Sequence, residues 1–394
     1  MDILLLINYV IAFISIFSVC FFVLVFLKHR DRYMERPQWD GRTPSVSVII
    51  PAYNEGKYLG SCLKSVLSAD YPADKLEIIV VDDGSTDDTA EVARSFAGNG
   101  VKVFTKKNGG KGAALNFGLE RSGGELVATM DADSYITANT LKELIPYFKD
   151  GEVMAVTPAI KIRPSGSPLK EFQRVEYLLI LFSRKLLSFI DSVPVTPGPF
   201  SIFRKSVFEK VGSFSENNLV EDQEIALRIQ SHNYKIRSSL TAEVYTEPPD
   251  NMRDLLRQRV RWQRGGIRNY WAYRSLIRPE YGDFGMFFVP MNFVALASFF
   301  TTFFLLIYTI LSTPYYFQYV WIEALGMGVD PLIFTAALVF VTTTFFLYLA
   351  VRSFKGERVN HIYMLAFLIF YWYLMLGYNL LFLFKELRRE SYSW

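Results

Sequence analysis

The chain has 394 residues, of which 51% are hydrophobic and 21% are charged, and its formal net charge at pH 7 is +3. Its two cysteines and three histidines argue against a disulfide framework and against a histidine-based zinc site. So small a net charge does not indicate a nucleic-acid-binding protein, and we expect no nucleic acid among its partners.

The hydrophobic residues are concentrated in four stretches that contain no Asp, Glu, Lys or Arg. These stretches are residues 3–27, 286–311, 332–351 and 362–384. A helix needs about 20 apolar residues to cross a bilayer, and four uncharged runs of this length have no good explanation in a soluble protein. The sequence therefore predicts about four transmembrane helices in contact with membrane lipids.

The apolar stretches divide the chain into three parts. We predict an N-terminal transmembrane helix with a basic flank at 1–36, a polar domain at 37–285, and a membrane region of about three helices at 286–394. The polar part is long enough for one globular domain.

Basic residues near the ends of the apolar stretches predict their orientation. Lys28 and Arg30 follow the first stretch, and Arg268 and Arg274 precede the second, which indicates that the polar domain faces the cytoplasm. Four crossings would place the C-terminus outside, whereas the basic C-terminal tail favours the inside. The topology of the last span is therefore left open.

Strand and helix patterns alternate along the first half of the polar domain. Strands are predicted at 46–51, 76–81, 101–104 and 125–130, and helices at 56–68, 87–96 and 111–120. The run at 76–81 is continuously apolar, which is typical of a strand buried on both faces. This order predicts an α/β fold with a doubly wound, mostly parallel sheet.

Acidic and polar residues follow three of the predicted strands, at 51–55, 82–87 and 131–133. In doubly wound sheets, ligands bind at this carboxyl edge. Neither a G-x-G-x-x-G pattern nor a P-loop pattern is present there. Bound phosphates would therefore have to be held by a metal ion or by basic side chains.

Asp131 and Asp133 are one residue apart at the predicted end of the fourth strand. Two such carboxylates can hold a hard divalent ion and leave positions open for diphosphate oxygens. A capped turn is the alternative, but the place at the strand end favours the metal site. Asp82 and Asp83 are as consistent with ordinary turn and N-cap residues as with a role in the site. Lys111 is consistent either with a surface lysine or with a cation near a nucleotide.

Two helices are predicted in the second half of the domain. Residues 170–190 combine charges with a large apolar face, which fits either a helix in the membrane plane or a core helix. Asp222 begins the other helix, at 222–231. A carboxylate there is stabilised as the anion, which predicts either an ordinary N-cap or a weak base that works mainly by position.

Six motifs occur in series: PAYNE at 51–55, DDGSTDD at 82–88, GGKGAALN at 109–116, DAD at 131–133, Glu221–Asp222, and QRVRW at 258–262. Their order resembles that of family 2 glycosyltransferases. The Q-x-x-R-W motif is similar to that of the membrane-embedded processive subgroup, which includes hyaluronan, chitin, cellulose and poly-N-acetylglucosamine synthases. Single-transfer enzymes that act on lipids, such as ceramide glucosyltransferases, share this motif. Val220 departs from the family, which often has Thr at that position.

The resemblance implies an inverting GT-A enzyme that takes a sugar from a nucleotide-diphosphate sugar, usually a UDP-sugar, with Mg²⁺ or Mn²⁺ as cofactor. Asp133 would be the more direct metal ligand. The implied roles are nucleotide binding by Pro51, Tyr53, Glu55, Asp83, Lys111, Asp131 and Arg261, metal binding by Asp131 and Asp133, catalysis by Asp222 with Glu221, and acceptor binding by Gln258 and Trp262.

Two enzymatic hypotheses follow from the resemblance. The first is a processive synthase that extends a polysaccharide and secretes it, and the second is a single-transfer enzyme with a membrane-lipid acceptor. A transporter or scaffold is disfavoured, because transporter spans often carry charges or Gly and Pro breaks, whereas these spans carry no charge. We expect an integral protein of a prokaryotic plasma membrane with a cytoplasmic catalytic domain. The donor sugar, the linkage and a homo-oligomeric state are left open.

Overall fold

The computed structural model describes residues 3–38, 41–312, 331–354, 356–357, 359–388 and 390. The chain divides into two compact units. The first unit comprises Met1–Arg30 and Ile277–Glu357, and the second comprises Asp31–Leu276 and Arg358–Trp394. The last apolar helix therefore belongs to the same unit as the polar domain. The division of the chain into domains at 37–285 and 286–394 stays a prediction.

Helices and strands alternate along the described chain, with short 3₁₀ turns between some of them. The helices are α1 (Ile3–Lys28), α2 (Gly56–Leu67), α3 (Thr89–Ser95), α4 (Lys111–Arg121), α5 (Thr140–Leu144), α6 (Pro168–Phe189), α7 (Lys205–Val211), α8 (Glu221–Ser231), α9 (Met252–Ala272), α10 (Val289–Ser312), α11 (Pro331–Ser353) and α12 (His361–Leu387). The strands are β1 (Val46–Ala52), β2 (Leu76–Asp82), β3 (Val101–Thr105), β4 (Leu126–Thr129), β5 (Ser134–Ile136), β6 (Val153–Ile162), β7 (Ser201–Arg204) and β8 (Lys235–Thr246).

The strands form one mixed sheet in the order β3-β2-β1-β4-β7-β6-β8-β5. The pairs β1–β2, β1–β4, β2–β3 and β6–β8 are parallel, whereas β4–β7, β6–β7 and β5–β8 are antiparallel. The predicted α/β fold with a mostly parallel sheet is confirmed, and the parallel part is the one that the four predicted strands build.

The sheet is covered on both faces, so alternate side chains of β1 enter two different cores. Val48 and Ile50 pack with Leu63 of α2, and Ile49 packs on the other face with Leu115 of α4. All five are at most 2% exposed, and burying each side chain contributes about 1.5–3 kcal/mol. This double layer fixes the strand ends from which the site is built.

Helix α4 lies unusually close to the sheet because it has a glycine at the contact. A Cβ added to Gly118 would lie 2.4 Å from Cγ2 of Ile49, which is closer than real Cβ atoms come. Any larger residue would push α4 away from β1. Gly118 therefore helps to position Lys111, the first residue of α4.

Helix α6 covers the second half of the sheet. It packs against β6 and β8, and Val175, Leu178, Phe182 and Leu186 of its apolar face are buried. This is the packing of a core helix, one of the two alternatives for residues 170–190. Helix α12 packs in turn against α6 and α9.

Among the residues that the structure describes, three helices are long and apolar enough to cross a membrane: Leu6–Lys28, Phe284–Leu305 and His361–Leu387. A shorter apolar helix spans Ala337–Ser353, which lies in α11. The predicted count of about four spans is near this result. One face of the last span is exposed and apolar, with Phe370 and Tyr373 58% and 65% accessible.

Candidate active site

The carboxyl ends of β1, β2 and β4 lie side by side, as the parallel order predicts. Backbone hydrogen bonds connect them: Asp83 N–H donates to the carbonyl of Ala52 at 2.8 Å, and Met130 N–H donates to that of Ile49 at 3.0 Å. The motif residues that follow these strands are therefore brought to one edge of the sheet.

Asp83 supports the glycine-rich turn that precedes α4. Its carboxylate accepts hydrogen bonds from Gly109 N–H at 3.1 Å, from Gly110 N–H at 2.7 Å and from Lys106 Nζ at 2.6 Å. Gly110 has φ of +86°, a left-handed conformation that glycine tolerates best. Asp83 is 3% exposed and saturated with donors, and its contact with a nucleotide stays a prediction.

Lys111 connects residues of three motifs. Its Nζ lies 2.6 Å from Oδ1 of Asp131 and 3.1 Å from Oε1 of Glu221. Burial alone would lower the pKa of Lys111, but the carboxylates of Asp131, Glu221 and Asp222 together raise it. Lys111 is thus a partly buried, ion-paired lysine inside an acidic cluster, and its contact with a nucleotide stays a prediction.

Three carboxylates crowd together where the predicted metal site lies. Burial, and then the charge of Asp131, raises the pKa of Glu55 to about 7. Burial, followed by the charges of Asp131 and Glu55, raises the pKa of Asp133 to about 7. A cation among them would relieve this crowding of negative charge.

The donor set fits a hard divalent ion that is only partly coordinated by protein. Carboxylate oxygens are the ligands that Mg²⁺ prefers, and Mg²⁺ usually takes one or two of them together with phosphates and water. Within the described part of the chain, no three His, Cys, Asp or Glu side chains form a complete metal-binding group. Asp131 and Asp133 therefore suit an ion that takes its remaining ligands from a diphosphate and from water.

Gly198 connects the acidic cluster to Asp222. Asp131 N–H donates to the carbonyl of Gly198 at 3.1 Å, and Gly198 N–H donates to Oδ2 of Asp222 at 3.3 Å. A Cβ at Gly198 would lie 2.5 Å from Nζ of Lys111 and 2.8 Å from Oδ2 of Asp131. A side chain at this position would displace the Lys111 ammonium or the Asp131 carboxylate, so the loop at 196–200 lies directly against the acidic cluster.

Burial makes Asp222 a stronger base than its place at a helix N-terminus predicts. Burial, and then the neighbouring carboxylate of Glu221, raises the pKa of Asp222 to about 6, against the opposing charges of Lys111 and Arg261. Burial and the charge of Glu221 thus act in the direction opposite to the helix dipole, and the role of Asp222 as a base stays a prediction.

Helix α9 carries the Q-x-x-R-W motif and is fixed to α6 by a buried ion pair. Nη2 of Arg259 lies 2.5 Å from Oε2 of Glu176, and both side chains are 4% exposed. The Arg259 guanidinium also lies 4.3 Å from the ring centroid of Trp262 and donates to Gln258. The pair therefore orients the indole ring.

Residues of the Q-x-x-R-W motif line two different cavities. Trp262 and Asp222 line a cavity of about 300 Å³, the Trp262 cavity, together with one face of α6 and the loop at 194–199. Gln258 and Arg261 line a different cavity of about 880 Å³ between α9 and α12. The structure thus brings Trp262 to Asp222 and places Gln258 elsewhere.

The remaining predicted residues, Pro51 and Tyr53, lie at the end of β1. Pro51 is part of β1, and Tyr53 follows that strand with 49% of its surface exposed. Neither is in contact with the Lys111 cluster in the described hydrogen bonds and ion pairs, so their nucleotide contacts stay predictions.

Sequence reasoning missed two residues near the site, Glu176 and Arg184, both on α6. Arg184 lines the Trp262 cavity with Tyr177, Ile180 and Leu181. These four residues have the spacing i, i+3, i+4, i+7, which places them on one helix face. A lone arginine on an otherwise apolar face was the signal that could have identified Arg184.

Comparisons with known proteins agree with the motifs. Residues 47–212 match the family model described as glycosyl transferase family 2. A poly-beta-1,6-N-acetyl-D-glucosamine synthase from Staphylococcus epidermidis is 32% identical over 235 residues, which are 58% of this chain and 57% of that protein. A synthase of the same description from Staphylococcus aureus (strain COL) is 29% identical over 262 residues, 65% of this chain and 63% of that protein. The match thus spans less than two thirds of the length of these relatives.

A solved structure has the same fold. The mannosyltransferase from Pyrobaculum calidifontis, in complex with GDP-Man and Mn²⁺, matches with a TM-score of 0.64 and 21% sequence identity, covering 90% of this chain and 100% of that one. This likeness bears on the fold alone. Together with the family match, it identifies residues 47–212 as a family 2 glycosyltransferase domain with the GT-A fold.

Proposed function

We propose that this protein is a membrane-bound, inverting glycosyltransferase that extends a polysaccharide of N-acetylglucosamine, with UDP-N-acetylglucosamine as donor. The observation that carries the proposal is the connection of Lys111, Asp131 and Glu221 to Asp222, which lines a cavity with Trp262. A donor cluster and an acceptor cavity that meet at one partly buried carboxylate are what a transfer reaction needs. The synthases similar to this chain support the choice of polymer.

Asp222 is the proposed general base. Inverting transfer is a single displacement at the anomeric carbon, in which the acceptor hydroxyl attacks as it loses its proton. A carboxylate with a pKa of about 6 is largely ionised at neutral pH and still basic enough to accept that proton. Gly198 N–H and Gln223 N–H donate to its two oxygens and fix its orientation.

Lys111 and Arg261 are the proposed cations for the leaving diphosphate, since negative charge develops there during transfer. Asp131 and Asp133 would hold Mg²⁺ or Mn²⁺, which when bound neutralises part of that charge. Trp262 offers its ring as a stacking surface for the acceptor sugar. Glu221 keeps Lys111 at the centre of the cluster.

The proposed cellular arrangement follows the charge pattern of the sequence. The catalytic domain faces the cytoplasm of a prokaryote, where nucleotide sugars are made, and the candidate spans Leu6–Lys28, Phe284–Leu305 and His361–Leu387 anchor the protein in the plasma membrane. Processive synthesis coupled to secretion is part of the proposal. A homo-oligomer would supply further helices for a channel.

The lining of the Trp262 cavity favours a second candidate. Ile180, Leu181, Val195 and Pro197 make its wall largely apolar beside Asp222. An apolar wall also suits a lipid acceptor, and the second function is therefore a single transfer of sugar to a membrane lipid.

One experiment separates the two functions. The purified protein in lipid nanodiscs receives Mn²⁺ or Mg²⁺ and radiolabelled UDP-N-acetylglucosamine, UDP-glucose or UDP-glucuronic acid, and the products are separated by mass. A ladder of high-mass products from UDP-N-acetylglucosamine supports the polysaccharide synthase, and one discrete lipid-extractable product supports the lipid enzyme. Absence of transfer from every donor would overturn both.

A further inference from the structure

Arg184 is a buried cation with unused hydrogen-bonding capacity. Its side chain belongs to α6 and is 5% exposed. Among the residues that the structure describes, its guanidinium donates only to the carbonyl of Pro158, at a long 3.4 Å, and its Nε–H has no acceptor. Burial lowers the pKa of Arg184 to about 10, which still leaves it charged at neutral pH.

The unused donor of Arg184 lies in the same cavity as the proposed base. Arg184 lines the Trp262 cavity, whose wall also includes Asp222. A buried donor without an acceptor is unfavourable unless a ligand supplies one. The cavity is therefore built to receive a hydrogen-bond acceptor on the same molecule whose hydroxyl reaches Asp222.

The surroundings select the chemistry of that acceptor group. The carboxylate of Asp222 already lines the cavity, so a second buried anion would be repelled by it. A neutral carbonyl oxygen accepts from a guanidinium without adding charge. Ile180, Leu181 and Val195 of the same wall offer contact to a methyl group. A carbonyl next to a methyl group is the structure of an acetamido substituent.

We propose that Arg184 recognises the acetamido group of an N-acetylated acceptor sugar, donating to its carbonyl oxygen while the methyl group packs on the apolar wall. The sugar ring then lies on Trp262 and its hydroxyl points to Asp222. Arg184 is in this way the residue that determines acceptor specificity. This inference rests on the proposed function and adds to it how the acceptor is chosen.

The test compares acceptors that differ only in this substituent. Short oligosaccharides that end in N-acetylglucosamine, in glucose or in glucosamine are offered to the Mn²⁺-loaded protein at saturating donor. The wild type is expected to favour the N-acetylated end by about 10-fold or more in kcat/KM, since a hydrogen bond to a charged group is worth about that factor. Equal use of N-acetylglucosamine and glucose ends by the wild type would overturn the inference without any variant.

Two substitutions locate the preference at Arg184. Arg184→Met removes every donor and is expected to lower the kcat/KM preference for the N-acetylated over the glucose-ended acceptor about 10-fold, to near unity. Arg184→Lys restores a cation and part of the preference. If Arg184→Met folds and keeps the wild-type preference, the inference fails.

Lys185→Met is the matched control. Lys185 is the next residue of α6 and is 2% exposed, but its Nζ donates to the carbonyl of Ser238 at 2.9 Å rather than lining the cavity. We expect this variant to change the melting temperature and leave the acceptor preference intact.

The outcomes distinguish this inference from the proposed function. Transfer from UDP-N-acetylglucosamine with a preference independent of Arg184 overturns this inference alone. Absence of transfer overturns the proposed function itself.

Discussion

The pKa of Asp222 decides at which pH the proposed reaction runs. Burial raises that pKa to about 6, and a general base must be ionised to accept a proton. As the pH falls below about 6, Asp222 becomes protonated, and we expect kcat/KM to fall about tenfold per pH unit. The measurement is a pH profile of initial rates at constant ionic strength. A falling limb that begins only below the ordinary aspartate range, near pH 4, would contradict this role.

Removing the carboxylate of Asp222 separates chemistry from donor binding. Asp222→Asn keeps the side-chain shape but cannot accept the proton, so transfer is expected to fall by about 10²- to 10⁴-fold. Binding of UDP, measured by calorimetry, is expected to stay within about twofold, because Asp222 lies on the acceptor side of Lys111. Asp74→Asn, an exposed position outside the site, serves as the control. Undiminished turnover in Asp222→Asn would remove it from the role of base.

The residues that could be predicted are those that follow strands in the sequence. Asp83 and Asp131 were singled out because they follow predicted strands, and parallel strand ends meet at one edge, whereas Lys111 was indicated by its glycine-rich motif. Glu176 could not be found in this way, since its partner Arg259 is 83 residues away and only the packing of α6 on α9 brings them together.

At the scale of elements, two neighbouring glycines of α9 give a matched comparison. A Cβ at Gly265 would lie 2.4 Å from Cγ2 of Val220, directly before α8 and Asp222, whereas a Cβ at Gly266 would meet only Gln223, at 3.5 Å. Both substitutions to alanine favour the helix equally in terms of propensity. The difference in activity between the two variants therefore reports on the contact between α9 and the start of α8.

We expect Gly265→Ala to lower transfer at least about tenfold, because Val220 and then Asp222 must shift, and a misplacement of this size commonly has that effect. Gly266→Ala is expected to retain activity and to raise the free energy of unfolding by up to about 1 kcal/mol. Transfer rates and denaturant unfolding of both variants provide the check. Equal activity in the two would show that the contact does not position Asp222.

The first half of the sheet was predictable and the second half was not. Strands β1 to β4 alternate with helices and pair in parallel, so periodicity places them to within one or two residues. Strands β6, β7 and β8 pair out of sequence order, in the arrangement β7-β6-β8. Their partners lie far along the chain, and a local pattern contains no information about such pairing.

At the scale of the whole molecule, ion pairs indicate where α12 ends relative to the catalytic domain. Glu386, near the end of α12, accepts from Arg264 Nε at 2.8 Å and from Arg268 Nη2 at 3.1 Å, both on α9. The C-terminal end of α12 therefore lies beside the catalytic domain. This agrees with the basic tail and opposes a simple count of four crossings.

We expect Arg388→Cys to react with a membrane-impermeant maleimide only after intact cells are permeabilised, as a cytoplasmic position would. The background carries Cys20→Ala, since Cys20 is exposed whereas Cys62 is buried. Glu120→Cys, whose native side chain is 74% exposed in the catalytic domain, is the reference. Labelling at position 388 but not at position 120 in intact cells would place the two on opposite sides of the membrane.

Two neighbouring residues of α9 make different contacts. Trp262 lies in the cavity that also holds Asp222, while Arg264, less than one turn away, is bound to the last membrane helix. A change in bilayer thickness alters the tilt that a membrane helix favours, and we expect a change in the tilt of α12 to act on α9 through Arg264. The cluster around Lys111 is attached to the sheet through Asp131 and reaches α9 through Glu221, at the start of α8. Acyl-chain length is therefore expected to change the KM of the acceptor more than that of the nucleotide sugar.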